Sequence, residues 1–263
     1  LSDLACLILE EVLDIAWSGV RQRHRERPAF AIVGYGKLGG KELGYASDLD
    51  LVFLYSDGAP EAPENYARLA QRINSWLTSI TPAGVLYDTD LRLRPDGASG
   101  LLVSPLDSFL DYQTKQAWVW EHQALTRARF AAGDAEIGRQ FEALRVSILQ
   151  QRRDLDVLRR EVAAMRRKML DAHPNDSGLF DLKHDRGGII DVEFIVQYLV
   201  LGYSCTHPGL TANIGNLALL RLAASLGLIG AAAAQAAHDA YRRFRQLQHG
   251  LPLQFEALAP LDQ

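Results

Sequence analysis

Hydrophobic and polar positions along the chain follow two different periods. Strand-like apolar runs occupy residues 29–35, 48–55 and 84–94, and a helical period covers residues 64–80 between the last two. An amphipathic helix is also predicted at residues 1–17. After residue 105 the helical period dominates, and it predicts helices over residues 108–116, 118–129, 135–149, 154–170, 188–201, 214–226 and 230–249. The pattern therefore predicts a small sheet flanked by helices, followed by a helical bundle.

The change of pattern near residue 150 divides the chain into two regions. With 263 residues, 48% of them hydrophobic, the chain is long enough to bury a full core, and its size permits one or two domains. No linker rich in glycine or serine lies at the change. We therefore expect two abutting domains, residues 1–150 and residues 151–263. The chain begins with Leu1 instead of Met, as expected for a piece of a larger protein.

Two acids beside a glycine-rich segment form the first candidate site. Side chains alternate along a strand, so Asp48 and Asp50 point to one face while Leu49 points to the other. Two carboxylates this close repel each other, and the pair is tolerated chiefly when it reaches water or shares a cation. Carboxylate oxygens suit Mg²⁺, which usually binds through one or two of them together with substrate phosphates. The alternative is a pair of solvated acids at the start of a strand.

The glycines before these acids also match a dinucleotide-binding turn, GxGxxG, at Gly34, Gly36 and Gly39. That fold needs a full crossover helix and then a second strand that ends in an acid about 20 residues further on. Here the next strand begins about ten residues after Gly39 and carries its acids at its start. The spacing excludes a dinucleotide fold. It favours a glycine turn with a short helical segment, whose backbone at Gly39 and Gly40 approaches a polyphosphate closely.

A site with two close cations usually draws a third carboxylate from a neighbouring strand. The third predicted strand supplies Asp88 and Asp90 on one face, and either acid completes the site. Arg92 and Arg94 continue that face. These arginines either neutralise phosphate charge through bidentate hydrogen bonds or form an ordinary ion pair with Asp88 or Asp96.

Five segments together resemble one known family: GYGKLGG, ELGYASDLDLVFLY, LYDTDLRLRP, WEHQALTRAR and KHDRGGIIDVEFIVQYLVL. Over nearly the whole chain the sequence is similar to glutamine synthetase adenylyltransferases, of the DNA polymerase β-like nucleotidyltransferase superfamily. The resemblance implies an α+β fold in which a nucleotidyltransferase domain, with a small mixed sheet flanked by helices, precedes an all-α helical bundle domain. It implies a catalytic metal site formed by Asp48, Asp50 and Asp90. The nucleotide-binding residues that we expect are Gly39, Gly40, Ser47, Arg92 and Arg94.

The resemblance also implies an activity, namely transfer of AMP from ATP to a tyrosine of glutamine synthetase, with two Mg²⁺ ions and release of pyrophosphate. The family's full-length protein carries two related domains, one that adds AMP and one that removes it by phosphorolysis. The motifs GYGKLGG, ELGYASDLDL and WEHQAL are similar in sequence to those of the AMP-adding domain. The implied partners are glutamine synthetase and, through the full-length enzyme, the PII signalling protein. Two alternatives stay open: the AMP-removing domain, and a non-catalytic domain that binds nucleotide or a regulatory protein.

Charge and composition indicate which partners and which cellular compartment to expect. The net charge of −4 leaves no electrostatic footprint for nucleic acid. No apolar run reaches the length of a membrane span, and the acids of the opening helix do not fit a signal peptide. Cys6 and Cys205 lie in or next to apolar stretches, as is typical of reduced, buried thiols. We therefore expect a cytoplasmic protein that binds neither nucleic acid nor membrane.

Three further features each allow two interpretations. The helix at 154–170 carries arginines seven residues apart, which form either a basic stripe for ATP or an acidic partner, or the solvated face that we favour. The segment KHDRGG either binds an anion at the start of the helix at 188–201 or forms local ion pairs. We expect His122 to be structural because no second histidine lies at metal spacing, and Arg127 and Arg129 either reach phosphates or form ion pairs.

Overall fold

The N-terminal segment forms the predicted amphipathic helix in the computed structural model, which describes residues 1–45 and 47–256. This helix, α1 (Ser2–Ser18), buries Leu9 and Leu13, among others, at helical spacing. The repeat places its apolar side chains on one face, which packs on the sheet described next. The helix therefore covers part of the sheet with its apolar face.

Five strands among the described residues form one mixed sheet. They are β1 (Phe30–Gly34), β2 (Leu49–Tyr55), β3 (Thr89–Asp90), β4 (Val103–Pro105) and β5 (Arg129–Gly133). The strand order is β3-β2-β1-β5, and β4 also pairs with β2. Strand β1 runs antiparallel to β2 and β5, whereas β3 and β4 run parallel to β2. The predicted α+β class, with a small mixed sheet flanked by helices, is confirmed.

Helices surround this sheet and close its core. They are α2 (Gly36–Gly39), α3 (Ala62–Thr78), α4 (Leu106–Lys115), α5 (Val119–Leu125) and α6 (Ala135–Leu149). The ring of Phe30 stacks on Phe53 with 5.6 Å between centroids and packs against Tyr66 of α3 at 5.8 Å. Because α2 has four residues and joins antiparallel strands, it is no crossover helix. The exclusion of a dinucleotide fold is confirmed.

The strand prediction is wrong in three places, one of which is β4 (Val103–Pro105), a strand that the sequence pattern does not predict. The strand predicted over residues 84–94 pairs only at Thr89 and Asp90, because the Asp90 carboxylate accepts the backbone N–H of Arg92 at 2.9 Å and the ladder to β2 stops there. Arg92 and Arg94 therefore lie in a loop and not on a strand face. Strand β5 lies where the helix predicted to residue 129 was expected to end, and its small residues form a strand because they pair with β1.

The described residues fall into two compact units. The first contains Leu1–Leu43 and Ser47–Ile148, and the second contains the described residues from Leu149 onward together with Gly44 and Tyr45. The assignment of two domains that meet at residue 150 stays a prediction, and residues 257–263 of the expected second domain lie outside the described residues.

The second unit is built from helices throughout its described part. They are α7 (Leu155–Asp171), α8 (Ile189–Tyr203), α9 (Asn216–Ser225) and α10 (Ala231–Glu256). Asp154 caps α7, since its carboxylate accepts the N–H groups of Asp156 and Val157 at 2.9 Å. The apolar helix α8 buries most of its length and contacts the other three. The helices predicted for this region are confirmed.

The structure also bears on the expectations about membrane spans and about the burial of the two cysteines. Among the described helices, none is long and apolar enough to cross a membrane. Cys6 is half-buried, whereas Cys205 is exposed. The predicted burial of Cys205 is wrong because α8 ends at Tyr203, so this cysteine lies in the turn that follows and not on the apolar helix.

Candidate metal and nucleotide site

Strand pairing brings the three predicted carboxylates together. Strand β2 pairs in parallel with β3, and their register places Asp50 directly opposite Asp90. Asp48 lies one residue before β2 and is exposed. The three side chains each offer a carboxylate oxygen within 4.8 Å of the other two. Asp88, the other candidate for the third acid, is not part of this cluster. Its backbone carbonyl accepts the N–H of Leu49 at 2.9 Å.

The glycine turn lies directly against these acids. After β1 the chain forms the single turn α2, and the N–H of Tyr35 donates to the backbone carbonyl of Asp50 at 2.9 Å. Gly36 has a φ of +52°, and a Cβ there would lie 2.2 Å from the Asp50 carboxylate oxygen Oδ2. Only glycine combines this backbone with such a close approach. The signal in the sequence is the GxGxxG motif itself, which contains Gly36.

The two predicted nucleotide-binding glycines pack on the segment that follows α5. A Cβ on Gly39 would lie 1.9 Å from the carbonyl oxygen of Arg127, and one on Gly40 would lie 2.8 Å from Nε of Arg127. Their N–H groups donate within the turn, to the carbonyls of Tyr35 at 2.8 Å and of Gly36 at 3.0 Å. The absence of side chains at these glycines therefore admits Arg127 to the turn.

The electrostatics of the cluster centre on Asp50. Burial and the neighbouring charges of Asp48 and Asp90 raise the pKa of Asp50 to about 6, and Arg127 and Lys37 oppose that rise. No described residue donates a hydrogen bond to the side chain of Asp48 or Asp50. A half-buried carboxylate that is repelled by two others, with no internal donor, fits a hard divalent cation such as Mg²⁺.

Asp90 carries a partner of its own. Arg92 donates from Nη2 to Oδ2 at 2.5 Å and from Nε to both carboxylate oxygens. Hydrogen bonding from Arg92 lowers the pKa of Asp90, against the effect of partial burial. The ion-pair alternative for Arg92 is thus observed, although its partner is Asp90 and not Asp88 or Asp96. Arg94 instead donates to the backbone carbonyls of its own loop, and Ser47 is buried beside Asp48.

Arg127 is a residue of this site that the predicted set leaves out. Its guanidinium, beside Gly40, donates to Glu42 at 3.0 Å, and both side chains are largely buried. The ion pair expected as one interpretation of Arg127 is therefore observed. Because it lies next to the glycine turn, it is compatible with the other interpretation, a phosphate contact. Arg129 contacts Cys6 Sγ at 3.1 Å. His122 is buried with Nε2 2.9 Å from the carbonyl of Gln113, so its structural interpretation is confirmed.

The segment KHDRGG belongs to the second unit and forms local contacts. Asp191 pairs with Arg166 and accepts the N–H of Gly187 at 2.5 Å. Asp185 accepts from Asn175 at 2.7 Å and from a backbone N–H. Of the two interpretations, the structure favours local ion pairs. The solvated-face interpretation of α7 holds for Arg159, which is 71% exposed, but is wrong for Arg166.

Comparisons with known proteins give similarities over most of the chain. A family model described as glutamate-ammonia ligase adenylyltransferase matches residues 1–144, and one described as GlnD PII-uridylyltransferase matches residues 153–257. A protein of Nitrosomonas europaea is 65% identical over 96% of the chain, and one of Chromobacterium violaceum is 59% identical over 100% of it. Both are named bifunctional glutamine synthetase adenylyltransferase/adenylyl-removing enzyme. The chain spans 27% and 29% of their respective lengths.

Proposed function

The chain belongs to the glutamate-ammonia ligase adenylyltransferase family, and on that premise we propose that it transfers AMP from ATP to a tyrosine hydroxyl of glutamine synthetase. The observation that carries this proposal is the cluster of Asp48, Asp50 and Asp90 against a glycine turn. The acceptor protein is taken from the names of relatives that are more than three times as long as the chain. The family predicted from sequence motifs is confirmed.

In this proposal the three acids bind the metal ions of the reaction. Asp48 and Asp50 would hold both ions, and Asp90 would hold one of them. Two bound Mg²⁺ ions would supply positive charge to the entering and leaving oxygens and would lower the pKa of the hydroxyl. The pKa of Asp50, raised to about 6, supports this role because a nearby cation relieves the repulsion that raises it.

The basic residues of the site are assigned to the phosphates. Arg92 is 77% exposed, so its pairing with Asp90 is readily exchanged for a phosphate oxygen. Arg127 is held beside Gly40 by Glu42 and faces the turn with a planar, bidentate donor set. Gly39 and Gly40 leave room for Arg127 beside the turn. Ser47 and Arg94 stay predicted nucleotide contacts.

The bond changes are those of an in-line displacement. The tyrosine oxygen attacks the α-phosphorus, the bond from that phosphorus to the bridging oxygen breaks, and pyrophosphate leaves with the electron pair. Asp90 accepts the hydroxyl proton. Its lowered pKa makes it a weak base while Arg92 is bound, and transfer of Arg92 to a phosphate strengthens that base.

The reverse type of reaction is the second candidate, because the relatives' names contain both activities. Phosphorolysis uses phosphate as the nucleophile, removes AMP from the tyrosine and releases ADP. Two assays separate the candidates. The chain is incubated with glutamine synthetase, ATP labelled at the α-phosphate and Mg²⁺, or with labelled adenylylated glutamine synthetase, phosphate and Mg²⁺. Label that enters the protein only in the first assay supports the proposal, and label released only in the second refutes it.

A matched pair of variants tests the site itself. Asp50→Asn removes one acid of the cluster, and we expect transfer to fall by roughly a hundredfold or more because metal charge contributes several kcal/mol. Asp191→Asn, an acid of the second unit, is expected to keep transfer within about twofold at a temperature where the variant is folded. Full activity in Asp50→Asn would refute the assignment. ATP binding that is independent of Mg²⁺, measured by calorimetry, would favour the non-catalytic alternative.

The setting of the reaction is part of the same proposal. The PII signalling protein is proposed as a partner of the longer enzyme, and the cytoplasm as its location. A net charge of −4 supports the proposal that nucleic acid is no partner, since the chain as a whole repels a polyanion.

A further inference from the structure

A basic groove lies in the first unit and shares none of its lining residues with the carboxylate cluster. Its cavity measures about 810 Å³ and lies between the loop after α1 and the outer face of α3. The residues that matter for its chemistry are Arg21, Gln22, Arg68, Arg72 and Trp76. No acid lines the cavity among the described residues. In a chain with a net charge of −4, this local excess of guanidinium groups selects an anionic ligand.

The spacing along α3 arranges these groups in a row. Arg68, Arg72 and Trp76 are four residues apart, so they lie on one face of the helix, about 6 Å from one to the next. Trp76 lines the cavity and is 41% exposed. Arg68 pairs with Glu64 at 2.5 Å on the open surface, and such a pair is readily exchanged for a ligand anion.

A strained loop forms the other wall of the groove. Gln22 has a φ of +57°, a left-handed conformation that a residue with a side chain keeps only where its surroundings hold it. Asn65 Nδ2 lies 3.5 Å from the backbone carbonyl of Gln22, and the nearby ring of His24 has its nitrogens 2.8 Å from Asp57 and 2.9 Å from Asn65. The loop therefore holds Arg21 and Gln22 in place beside α3 before any ligand arrives.

Arg72 is positioned by a close contact with the end of α1. A Cβ on Gly19 would lie 2.1 Å from Nη1 of Arg72, and this nitrogen donates weakly to the carbonyl of Ala16 at 3.4 Å. A cation is favoured at this C-terminal helix end. The contact uses one edge of the guanidinium, so the donors of its other edge remain for a ligand.

We propose that this groove binds a nucleoside phosphate as a second, non-catalytic ligand site. The base stacks on Trp76, since an aromatic face accepts any base. Arg72 and Arg68, one and two turns along the helix, bind the phosphate together with Arg21 through charge-assisted hydrogen bonds. A cavity of about 810 Å³ falls in the range of small-ligand sites. The inference does not depend on the reaction proposed for the carboxylate cluster.

Calorimetry and tryptophan emission with AMP, in EDTA and without Mg²⁺, test the proposal on the chain as it stands. We expect AMP to bind at least roughly tenfold more tightly than adenosine or inorganic phosphate, because only AMP engages both the ring and the arginines. Equal affinity for AMP and inorganic phosphate would overturn the assignment of a nucleoside ligand. Equal affinity for AMP and adenosine, or no binding of AMP, would overturn it too.

Matched variants locate the bound AMP. Trp76→Ala is expected to weaken AMP binding by roughly tenfold or more through lost stacking. Trp118→Ala removes a tryptophan that is 70% exposed elsewhere and is expected to change nothing. Arg21→Gln and Arg68→Gln each weaken AMP but not adenosine, whereas Arg139→Gln, which breaks a comparable surface pair with Glu136, leaves both unchanged.

Asp50→Asn separates this groove from the proposed reaction site. Unchanged AMP binding in this variant supports the groove. Loss of AMP binding in Asp50→Asn, or equal binding in Trp76→Ala and Trp118→Ala, would place the nucleotide elsewhere and overturn the inference. Thermal unfolding of each variant shows whether it is folded during the titration.

Discussion

Two segments of the molecule combine glycines with acids, and they use the acids in opposite ways. In the first unit, Asp48 and Asp50 follow a glycine turn, and among the described residues no group donates a hydrogen bond to either carboxylate. In the second unit, Asp191 follows Gly187 and Gly188 and is satisfied by Arg166 and by a backbone N–H. The first arrangement leaves negative charge for an external cation, whereas the second neutralises it within the fold.

The difference comes from the elements that carry the acids. Strand pairing fixes Asp50 opposite Asp90 in register, so the two cannot move apart without breaking the sheet. At the start of α8, by contrast, the chain bends through Gly187, which has a φ of +85°, and lets Asp191 reach back to an N–H group. Converging acids on paired strands therefore indicate a site, and acids in the first turn of a helix indicate a cap.

The tryptophans of the chain allow the two segments to be followed separately. All four, Trp17, Trp76, Trp118 and Trp120, lie in the first unit. Tryptophan fluorescence in urea therefore reports unfolding of the first unit, while far-ultraviolet circular dichroism reports both.

The largest effect is expected for Gly39→Ala. The added Cβ would lie 1.9 Å and 2.4 Å from two backbone carbonyl oxygens, of Arg127 and Gly34, which cannot move as a side chain does. We expect a loss of about 3 kcal/mol in the free energy of unfolding, seen by tryptophan fluorescence. Gly58→Ala is the control, since nothing lies within 4 Å of its Cβ position. Equal stability of the two variants would show that the glycine turn is not tightly packed.

The next effect separates the two kinds of acid. Asp191→Asn leaves Arg166 without its charged partner, and we expect a loss of about 2 kcal/mol, seen by circular dichroism and not by tryptophan fluorescence. An unchanged unfolding transition would mean that the hydrogen bonds to Asp191 do not stabilise the second unit. The contrast with Asp50 would then be lost.

Asp50→Asn should have the opposite sign. The pKa of Asp50 is about 6 in the folded chain against 3.8 ordinarily, so the unfolded chain loses its proton first as the pH rises. The contribution of this carboxyl to stability is therefore present below pH 3.8 and declines as the pH rises to about 6. At pH 7.5 without Mg²⁺ we expect Asp50→Asn to stabilise the first unit by about 1–2 kcal/mol. Added Mg²⁺ should stabilise the parent chain more than the variant, and a destabilised variant would contradict the repulsion argument.

The smallest effect is expected for Gly187→Ala. Nothing lies within 4 Å of its Cβ position, so the change costs only the left-handed backbone, about 1 kcal/mol by circular dichroism. A loss as large as that of Gly39→Ala would show that the second segment is packed as closely as the first.

Much of the fold follows from local pattern. The helical period predicts α1, α3 and all four helices of the second unit, because burial on one face repeats every three or four residues. Strand β5 could not be predicted in this way, since its small residues do not alternate and it forms only by pairing with β1. Strand β3 lies within the strand predicted over residues 84–94, and only its pairing with β2 shows that it is limited to two residues.

The candidate site shows the same limit. Asp48 and Asp50 are recognisable from sequence alone, because they are two residues apart and side chains alternate along a strand. Arg127 is not, since its contact with Glu42 joins residues 85 positions apart. For Arg92 the local pattern leaves two interpretations, a phosphate contact or an ion pair, and the structure shows an ion pair with Asp90, two residues earlier in the chain.

The sequence by itself determined the family, the helical periods and the acids of the first strand, because each depends on residues close together in the chain. Only the tertiary structure decided that Asp50 lies opposite Asp90, that Arg127 lies beside Gly40, and that Trp76 shares a groove with Arg21. These three arrangements depend on strand register and packing between distant segments. Such contacts are set by the free energy of the whole fold and not by any local pattern.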